Sequence, residues 1–337
     1  MHVCLSSGFA GTERSTTETC NAHAGEHDVA LVIRRGHRGP SGASIVDFLD
    51  PRVKVYEVGN WFAGRGLRRA VADFRPEIVH AHLRRATRLL ARLAPDCATV
   101  ATLHLRVNGP QFLQMDGLIL IAAWQRADLA DYRGRVFEIP NSLVPHAPPA
   151  PAEIARLREE CGAKPADFLV GGVGRLVQSK GFDTLIRAFL EASPPGAHLV
   201  VVGDGSQKAK LEALAGDRVT FTGFRRNAKD YYPCFDLFVC PSRSEPMGRV
   251  ILEALDAGTP VLATAAQGPS EILAKYPGTL VPIDDVPAMA DALRRLVAAR
   301  PPRQRPDLRP HEVGNVAREI LAAYEELVAA RRSARLR

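Results

Sequence analysis

The chain has 337 residues, and 46% of them are hydrophobic, which is enough to build the cores of two domains. Its net charge of +7 comes mostly from arginine and favours anionic partners, such as phosphorylated ligands, nucleic acid or an acidic membrane surface. The six cysteines show no C-x-x-C spacing, and the longest apolar run, at 117–124, is far shorter than the ~20 residues of a membrane-spanning helix. These features argue against a cysteine-based metal site and against an integral membrane protein.

The first half of the chain contains seven short apolar runs that predict β-strands. The first run begins at once, in "MHVCL", so no secretory leader is expected, and the sequence predicts a soluble, cytoplasmic protein. Helical segments lie between the runs, less regularly than in the second half. The predicted strands are residues 2–7, 28–34, 53–58, 77–82, 98–105, 118–123 and 135–140.

The second half alternates strands and helices more clearly, which favours a parallel, doubly wound sheet. A Pro-rich stretch, "PNSLVPHAPPAPAE" at 140–153, separates the halves and is typical of a linker. The sequence therefore predicts an α/β protein of two Rossmann-like, doubly wound domains facing across a cleft: an N-terminal domain at 1–142, a C-terminal domain at 143–310, and a last helix at 311–337 that packs back onto the first. The predicted strands of the second domain are residues 168–174, 198–205, 218–223, 236–242, 259–264 and 278–283.

Two cations follow the first strand of the second domain. In open parallel sheets, ligands bind at the carboxyl ends of the strands, and "GRLVQSKG" places Arg175 and Lys180 there in one loop. Such a pair suits a diphosphate, whose charge it would neutralise; a solvated loop with two cations is the alternative. Neither a complete G-x-G-x-x-G nor a G-K-[ST] pattern occurs, which argues against a dehydrogenase or a nucleoside triphosphatase.

The stretch "SRSEPMGRVILEAL" (242–255) places Glu245 in a loop and Glu253 inside an apolar helix. Because an unpaired carboxylate among packed residues is costly, Glu253 is expected to have a partner. The helix should begin near Gly248, so that the N–H groups of Gly248, Arg249 and Val250 can hold a phosphate. Glu253 would then accept the hydroxyls of a ribose, and Glu245 those of a sugar beyond the diphosphate. The alternative is one solvated loop glutamate and one glutamate at a helix edge.

In the first domain, a helix opens directly after the first strand, in "AGTER", and amides from Gly11 are expected to reach the same phosphate. His104 ends an apolar run at the carboxyl end of a strand, where a structural role and a role in the cleft are both open. His80 and His82, in "EIVHAHL", are expected to be structural, with His80 pointing inward.

Together these segments resemble the retaining glycosyltransferases of family 4, which have the GT-B fold. The specific part is the second half: "GRLVQSKGFDTLIRAF", "LVVVGDGSQKAKLEALA", "VTFTGF", the E-x7-E element "SEPMGRVILEALDAGTPVLAT", and "GPSEIL" with "GTLVPIDD". In the first half, "GTERSTTETCNAHAGEHDVALV" looks like the family's opening loop and helix. "EIVHAHL" and "TLHL" look like its two histidine strands, and "IPNSLV" like its interdomain element.

The resemblance implies a role for each candidate residue. The two cations after the first strand of the second domain would hold the diphosphate of a nucleotide sugar, Glu245 would contact the transferred sugar, and Glu253 would bind the ribose. The backbone at Gly223 and Phe224 would lie by the base, and His104 matches the family's cleft histidine. The expected catalytic residues are Glu245, His104, Arg175 and Lys180. The expected donor-binding residues are Arg175, Lys180, Gly248, Arg249, Val250, Glu253, Gly11 and Phe224, and no metal ligand is expected.

Three departures from the family pattern limit what is carried over. The glycine pair of the first loop is "AGT" here, Ser142 replaces the linker glycine, and "QGPSE" stands where two glycines usually precede the glutamate. Glu271 therefore carries over only weakly. The first domain, which binds the acceptor in this family, is short, so the resemblance does not identify the acceptor.

The expected activity is metal-independent transfer of a hexose, with retention, from a UDP- or GDP-linked donor to a glycan or lipid-linked acceptor of the cell envelope. The donor is a substrate, and no cofactor is expected. Arg175, Lys180 and the helix end at Gly248 would stabilise the leaving charge, and the departing phosphate would take the acceptor's proton. A nucleotide-sugar epimerase of the same fold and a non-catalytic nucleotide-sugar-binding protein are the alternatives.

Arginine clusters in the first half of the chain suggest where in the cell the protein acts. Each cation near an anionic bilayer contributes about 1 kcal/mol, so peripheral contact with the inner face of a membrane is one interpretation, and solvated arginines with a soluble acceptor is the other. No nucleic-acid-binding module is recognisable, and no nucleic acid partner is expected. The clusters are Arg65, Arg68 and Arg69, followed by Arg84, Arg85, Arg88 and Arg92.

Overall fold

The computed structural model describes residues 1–39 and 42–335, and within them the chain divides into two units. Unit 1 consists of Met1–Ser142 with the last segment, Arg309–Arg337, and unit 2 consists of Leu143–Leu308. The last two positions of the predicted C-terminal helix, 336 and 337, lie outside the described residues. None of the described helices is both long and apolar enough to cross a bilayer.

Unit 1 is built on a seven-stranded sheet in which all strand pairs are parallel. Its strands are β1 His2–Cys4, β2 Ala30–Arg34, β3 Lys54–Val58, β4 Ile78–His82, β5 Ala98–Leu103, β6 Gly117–Leu120 and β7 Arg135–Glu138. They lie in the order β3-β2-β1-β4-β5-β6-β7, and each overlaps a predicted run. Helices cover both faces of such a sheet, which is why its central strands are continuously apolar rather than alternating.

Unit 2 contains a six-stranded parallel sheet of the same kind. Its strands are β8 Phe168–Val173, β9 Ala197–Val202, β10 Val219–Gly223, β11 Leu237–Cys240, β12 Val261–Thr264 and β13 Thr279–Val281, in the order β10-β9-β8-β11-β12-β13. The two sheets confirm the predicted fold class of two doubly wound α/β units. The helices in chain order are α1 Gly11–His23, α2 Ala63–Phe74, α3 Leu83–Leu93, α4 Pro151–Glu160, α5 Phe182–Ala192, α6 Lys208–Leu214, α7 Arg249–Asp256, α8 Gln267–Leu273, α9 Val286–Ala299 and α10 Val313–Arg335.

The last helix, α10, packs against the sheet of unit 1. Its buried side chains recur at helical spacing and so form one apolar face. This face joins a core cluster with side chains of β5 and β6, and a Cβ at Gly117 would lie only 2.6 Å from a methyl group of Leu327. The helical members of this cluster are Val316, Ile320, Ala323, Tyr324 and Leu327.

The predicted linker at 140–153 is too long at its C-terminal end, because α4 already begins at Pro151. Proline is well suited to the first position of a helix, since its missing N–H has no partner there in any case. At the other end, Ser142 donates a hydrogen bond to Glu18 of α1 (2.6 Å), and Ser15 donates to Asn141 (3.1 Å). The side chain that replaces the family's glycine thus anchors the end of unit 1.

Candidate active site

The loops that follow β8 and β9 meet at the carboxyl edge of the unit 2 sheet, where ligands bind in open parallel sheets. They approach each other so closely that only glycine fits. Gly203 has φ +148°, and a Cβ there would lie 1.9 Å from the carbonyl oxygen of Gly174. A Cβ at Gly205 would lie 2.5 Å from the carbonyl oxygen of Leu176. These glycines therefore allow the loop after β9 to pack against the loop after β8.

The loop that carries Lys180 is fixed to the loop that carries Glu245. The backbone N–H of Arg243 donates to the carbonyl of Ser179 (2.9 Å). Gly181, which has φ +65°, lies so near the second loop that a Cβ would come within 2.0 Å of the carbonyl oxygen of Pro241. Backbone contacts therefore set the distance between the two loops before any side chain is considered.

Lys180 and Glu245 form an ion pair in this position. The Lys180 ammonium donates to Oε2 of Glu245 at 2.5 Å, and the two side chains are only 21% and 11% exposed. The sequence predicted separate partners for them, a phosphate for Lys180 and a sugar for Glu245. The structure brings the two predicted residues together and pairs them with each other.

Arg243, which no sequence pattern predicted to be a site residue, holds these loops in place. Its guanidinium donates to Asp183 (2.8 and 2.9 Å), to Asp284 (2.9 Å) and to the carbonyl of Gln178 (2.7 Å). The same guanidinium holds the pKa of Asp183 below its ordinary value. The only signal in the sequence was an arginine near Glu245, which by itself cannot be told from a solvated residue.

The helix that was expected to hold a phosphate begins as predicted. Gly248 is the N-cap of α7 with φ +95°. In the first helical hydrogen bond, the N–H of Ile251 donates to the carbonyl of Gly248. The N–H groups of Gly248, Arg249 and Val250 therefore precede the intrahelical ladder, as in any first turn. Glycine is favoured at this cap because a left-handed backbone strains other residues.

Glu253 is nearly buried, and its partners lie within unit 2. The Tyr232 hydroxyl donates to Oε2 of Glu253 (2.8 Å), and Nε of Arg249 lies 3.6 Å from Oε1. Glu253 thus has the partner that its burial was expected to require, and this partner is a protein group; that Glu253 also binds a ribose stays a prediction. The sequence did not predict Tyr232 as the partner of Glu253, because the two residues lie 21 positions apart and no periodic pattern connects them.

Arg175 and Phe224 lie at the carboxyl ends of β8 and β10, and both side chains are exposed. Within the described residues, the Arg175 guanidinium has no hydrogen-bond or ion-pair partner. Glu271 lies on α8 and is half-buried. The structure therefore leaves Arg175 open to an anion, whereas Lys180 is already paired.

In unit 1, the two predicted site residues lie at the carboxyl edge of the sheet. Gly11 is the first residue of α1 and is exposed, and no atom lies within 4 Å of the position that a Cβ would take there. His104 directly follows β5 and is buried. Burial lowers the pKa of His104 from 6.5 to about 4, so its imidazole is neutral at neutral pH.

Four histidines, His2 of β1, His80 and His82 of β4 and His104 directly after β5, form a buried cluster. His80 contacts the Tyr324 hydroxyl and the Thr102 hydroxyl, both at 2.6 Å, so it is buried as predicted. His82 lies 3.1 Å from both His2 and His104. Burial lowers the pKa of His2, His80 and His82 well below the ordinary value.

Three of these imidazoles, His2, His80 and His82, have nitrogens within 4.8 Å of one another, a spacing that invites comparison with a metal site. However, both nitrogens of His80 and both nitrogens of His82 already face hydrogen-bond partners in the protein. A metal ion would have to break these bonds, so the arrangement fits a hydrogen-bonded network better. His2 was missed because β1 and β4 are neighbours in the sheet but far apart in sequence.

Comparison with known protein families matches both halves of the chain. Residues 9–143 match the model of Glycosyltransferase Family 4, and residues 167–299 match that of Glycosyl transferases group 1. The lipopolysaccharide core biosynthesis glycosyltransferase LpsD of Rhizobium meliloti is 32% identical over 304 residues, which cover 85% of this chain and 84% of LpsD. LpsE of the same organism, also a lipopolysaccharide core biosynthesis glycosyltransferase, is 38% identical, but the alignment covers only 50% of this chain and 52% of LpsE.

Solved structures with the same fold include Anabaena HepE in complex with UDP and glucose, with a TM-score of 0.74, 20% identity and coverage of 98% of this chain and 96% of that one. Another is WaaG, a glycosyltransferase involved in lipopolysaccharide biosynthesis, with a TM-score of 0.69, 18% identity and coverage of 99% and 97%. At this identity the likeness concerns the fold, which is GT-B. Because LpsD aligns with most of this chain and the family models match both of its units, the chain belongs to glycosyltransferase family 4.

Proposed function

We propose that this glycosyltransferase moves a hexose, with retention of configuration and without a metal ion, from a UDP- or GDP-linked donor to a glycan or lipid-linked acceptor of the cell envelope. The observation that carries the proposal is the ion pair of Lys180 and Glu245 beside the N-cap of α7, where Cγ of Glu245 lies 3.6 Å from the position that a Cβ would take at Gly248. The names of LpsD and LpsE, and the UDP bound to HepE, support a nucleotide-sugar donor and an envelope acceptor.

The diphosphate of the donor would be held by charge from two sources. The Lys180 ammonium and the exposed Arg175 guanidinium supply full positive charges, and the first N–H groups of α7 supply donors at the positive end of a helix dipole. Together these groups stabilise the nucleoside diphosphate as it leaves, which is the task that a metal ion has in other transferases. This is why we propose a metal-independent reaction.

Glu245 would orient the transferred sugar. Its carboxylate accepts from Lys180 at 2.5 Å, and its remaining lone pairs can accept from sugar hydroxyls. The bond between the anomeric carbon and the phosphate oxygen breaks, and a bond to the acceptor oxygen forms on the same face. The acceptor's proton passes to the departing phosphate oxygen, so no protein side chain is needed as a covalent nucleophile.

Glu253 would bind the ribose, with the remaining acceptor capacity of its carboxylate. Tyr232 donates to one of its oxygens, and Arg249 lies near the other, so the carboxylate is held in one orientation. An ionised carboxylate has about four lone-pair sites, which leaves room for two ribose hydroxyls. Phe224, which is 53% exposed, would lie beside the base.

We also propose that unit 1 docks on the inner face of an anionic membrane, where a lipid-linked acceptor would be presented. Trp61 and Phe62, just before α2, are 94% and 67% exposed, and Arg65 lies over the Phe62 ring at 5.3 Å. Aromatic side chains beside cations favour the interface of a bilayer. The stretches 59–72 and 83–95, which cover most of α2 and all of α3, contain three and four arginines but no Asp or Glu.

Sedimentation with phosphatidylglycerol vesicles tests the docking. Binding is expected at low salt, and it should weaken at high salt and with the double variant Trp61→Ala and Phe62→Ala. The control replaces two exposed apolar residues of unit 2, Leu190→Ala and Leu280→Ala, and should bind as the original chain does. Equal binding to neutral vesicles, or no effect of Trp61 and Phe62, would contradict the docking surface.

The activity itself is tested with a panel of UDP- and GDP-sugars, incubated in EDTA with a lipid extract of the cell envelope and analysed by mass spectrometry. One donor should yield an extract component heavier by one hexose. An epimerase would instead convert the donor to an isomer without any acceptor, and a binding protein would leave donor and extract unchanged. Either of these results would reject the proposed transfer.

A further inference from the structure

A chain of three imidazoles runs through the sheet of unit 1, from His2 in β1 through His82 in β4 to His104 after β5. Nδ1 of His2 lies 3.1 Å from Nε2 of His82, and Nδ1 of His82 lies 3.1 Å from Nε2 of His104. In both pairs the ring centroids are 5.4 Å apart, as expected for rings joined by a nearly straight N–H···N bond of this length. All three side chains are buried, so solvent competes little for these nitrogens.

The two hydrogen bonds of this chain are coupled, because a neutral imidazole has one N–H donor and one lone pair. If His82 donates through Nε2 to His2, then its Nδ1 must accept the Nε2 proton of His104. If His82 donates through Nδ1 to His104, it must accept from His2 instead. The chain therefore has two states, and they differ in whether Nδ1 of His104 bears a lone pair or a proton.

The surroundings at the carboxyl edge favour the lone pair on His104. Strand β4 ends at His82, which is the N-cap of α3, and α1 begins at Gly11 after the neighbouring strand β1. The positive ends of both helix dipoles thus lie at this edge of the sheet. A lone pair directed towards positive potential is more stable than an N–H directed there.

The surroundings at the other end of the sheet favour a proton on Nε2 of His2. His2 lines a cavity of about 400 Å³ whose wall carries three carboxylates, one arginine and the amino group of Met1. Burial lowers the pKa of that amino group to about 6, so negative charge prevails there at neutral pH. An N–H is stabilised on that side. These charged residues are Asp28, Glu77, Glu325 and Arg332.

We propose that His82 and His2 are positioning residues that hold His104 in the tautomer with its proton on Nε2. Nδ1 of His104 is then a hydrogen-bond acceptor for a hydroxyl group of the sugar substrate. The identity of that substrate rests on the proposed function, whereas the tautomer itself does not. His82 acts through His104 and does not touch the substrate.

The tautomer is tested by NMR on the full chain labelled with ¹⁵N-histidine, since two-bond ¹⁵N–¹H correlations identify the protonated nitrogen of each ring. Single His→Phe variants assign the signals. We expect His2, His82 and His104 all to carry the proton on Nε2, and His82→Phe to abolish the single tautomer of His104. A proton on Nδ1 of His104, or an even mixture in the unaltered chain, would overturn the proposal without any activity measurement.

A matched pair of variants tests the effect on turnover. His82→Asn keeps a polar atom at the position of Nδ1, and so keeps the contact to His104. His82→Gln keeps one at the position of Nε2, and so keeps only the contact to His2. We expect His82→Gln to lower kcat about tenfold with the donor KM unchanged, and His82→Asn to lower it no more than about threefold. Equal losses would contradict the positioning role. If the chain transfers no sugar, the proposed function fails while the NMR result still decides the tautomer.

Discussion

The ion pair between Lys180 and Glu245 leads to the first prediction at the scale of single residues. UDP or GDP should raise the melting temperature in EDTA, because in the proposed site protein cations rather than a metal ion hold the diphosphate. Lys180→Ala should remove most of this shift and weaken nucleotide binding about tenfold to a hundredfold, the usual effect of losing a hydrogen bond from a charged group. Differential scanning fluorimetry and calorimetry with and without EDTA measure both effects.

Lys210→Ala is the control for this experiment, because Lys210 is exposed on α6 in the same unit. Since Lys180→Ala also leaves the Glu245 carboxylate without its ammonium partner, each variant is compared with its own nucleotide-free melting temperature. Binding that EDTA abolishes and that survives Lys180→Ala would show that the phosphate site is not the one proposed.

The two carboxylates should separate into two roles. Glu253→Gln should weaken nucleotide binding, since a neutral amide pairs poorly with two ribose hydroxyls and with the nearby Arg249 guanidinium. Glu245→Gln should leave nucleotide affinity within about threefold of the original value, but should lower kcat at least tenfold, because the proposed contacts of Glu245 are to the sugar. Titration calorimetry with UDP or GDP and steady-state kinetics provide the two measurements. Equal losses of nucleotide affinity in both variants would refute this division.

At this scale the sequence located the residues better than it identified their partners. The position of Gly248 at the helix end could be predicted, because a glycine between a loop and an apolar run is a local signal. The Lys180–Glu245 pair could not, since 65 residues separate its members and the contact depends on how two loops pack. For the same reason Tyr232 and Arg243 were found only in the structure.

At the scale of the structural elements, Gly181 determines how the loop after β8 meets the loop after β11. Gly181→Ala should lower the melting temperature and weaken nucleotide binding, because the new Cβ would collide with the carbonyl of Pro241 and push Lys180 away from Glu245. Gly196→Ala is a matched control: its φ of +61° is close to the +65° of Gly181, but no atom lies within 4 Å of its Cβ position. It should cost only the strain of a left-handed alanine, about 1 kcal/mol.

Melting temperature and nucleotide affinity together decide this comparison. The strain is common to both variants, so any additional loss in Gly181→Ala comes from the contact between the loops. If the two variants behave alike, the contact between the loops does not position the donor site.

The strands were predictable because each is a short apolar run bounded by turn residues, and buried parallel strands are apolar on both faces. The start of α4 was not predicted, because four prolines between 145 and 151 are typical of a linker, although the last of them begins a helix. The order of the strands could not be predicted either. It is this order that places β1 beside β4 and therefore His2 beside His82.

At the scale of the whole molecule, the buried imidazoles make the stability of unit 1 depend on pH. Burial lowers the pKa of His104 to about 4 in the folded chain, and an unfolded histidine titrates near 6.5, so the unfolded state binds more protons between these values. The contribution of His104 to the free energy of unfolding should therefore be constant above pH 6.5 and should fall as the pH is lowered from 6.5 towards 4. The slope is about 1.4 kcal/mol per pH unit for each proton taken up.

The free energy of unfolding of unit 1 is measured at each pH by chemical denaturation, with tryptophan fluorescence as the signal. Both tryptophans, Trp61 and Trp124, belong to that unit. His104→Gln should reduce the slope by about one proton, and His27→Gln, which changes an exposed imidazole, serves as the control. A stability that is unchanged between pH 7 and pH 5 would contradict the burial of these rings in neutral form.

Retention of configuration distinguishes the proposed transfer from its alternatives, and it can be read from the anomeric carbon of the product. The donor selected from the panel, labelled with ¹³C at its anomeric carbon, is incubated in EDTA with the purified acceptor, and NMR follows the one-bond carbon–proton coupling of that carbon. The labelled sugar should appear in the product with the configuration that it had in the donor, and only when acceptor is present. Inverted product, transfer that requires a metal ion, or label found only in an isomerised donor would rule out retaining, metal-independent transfer by this protein.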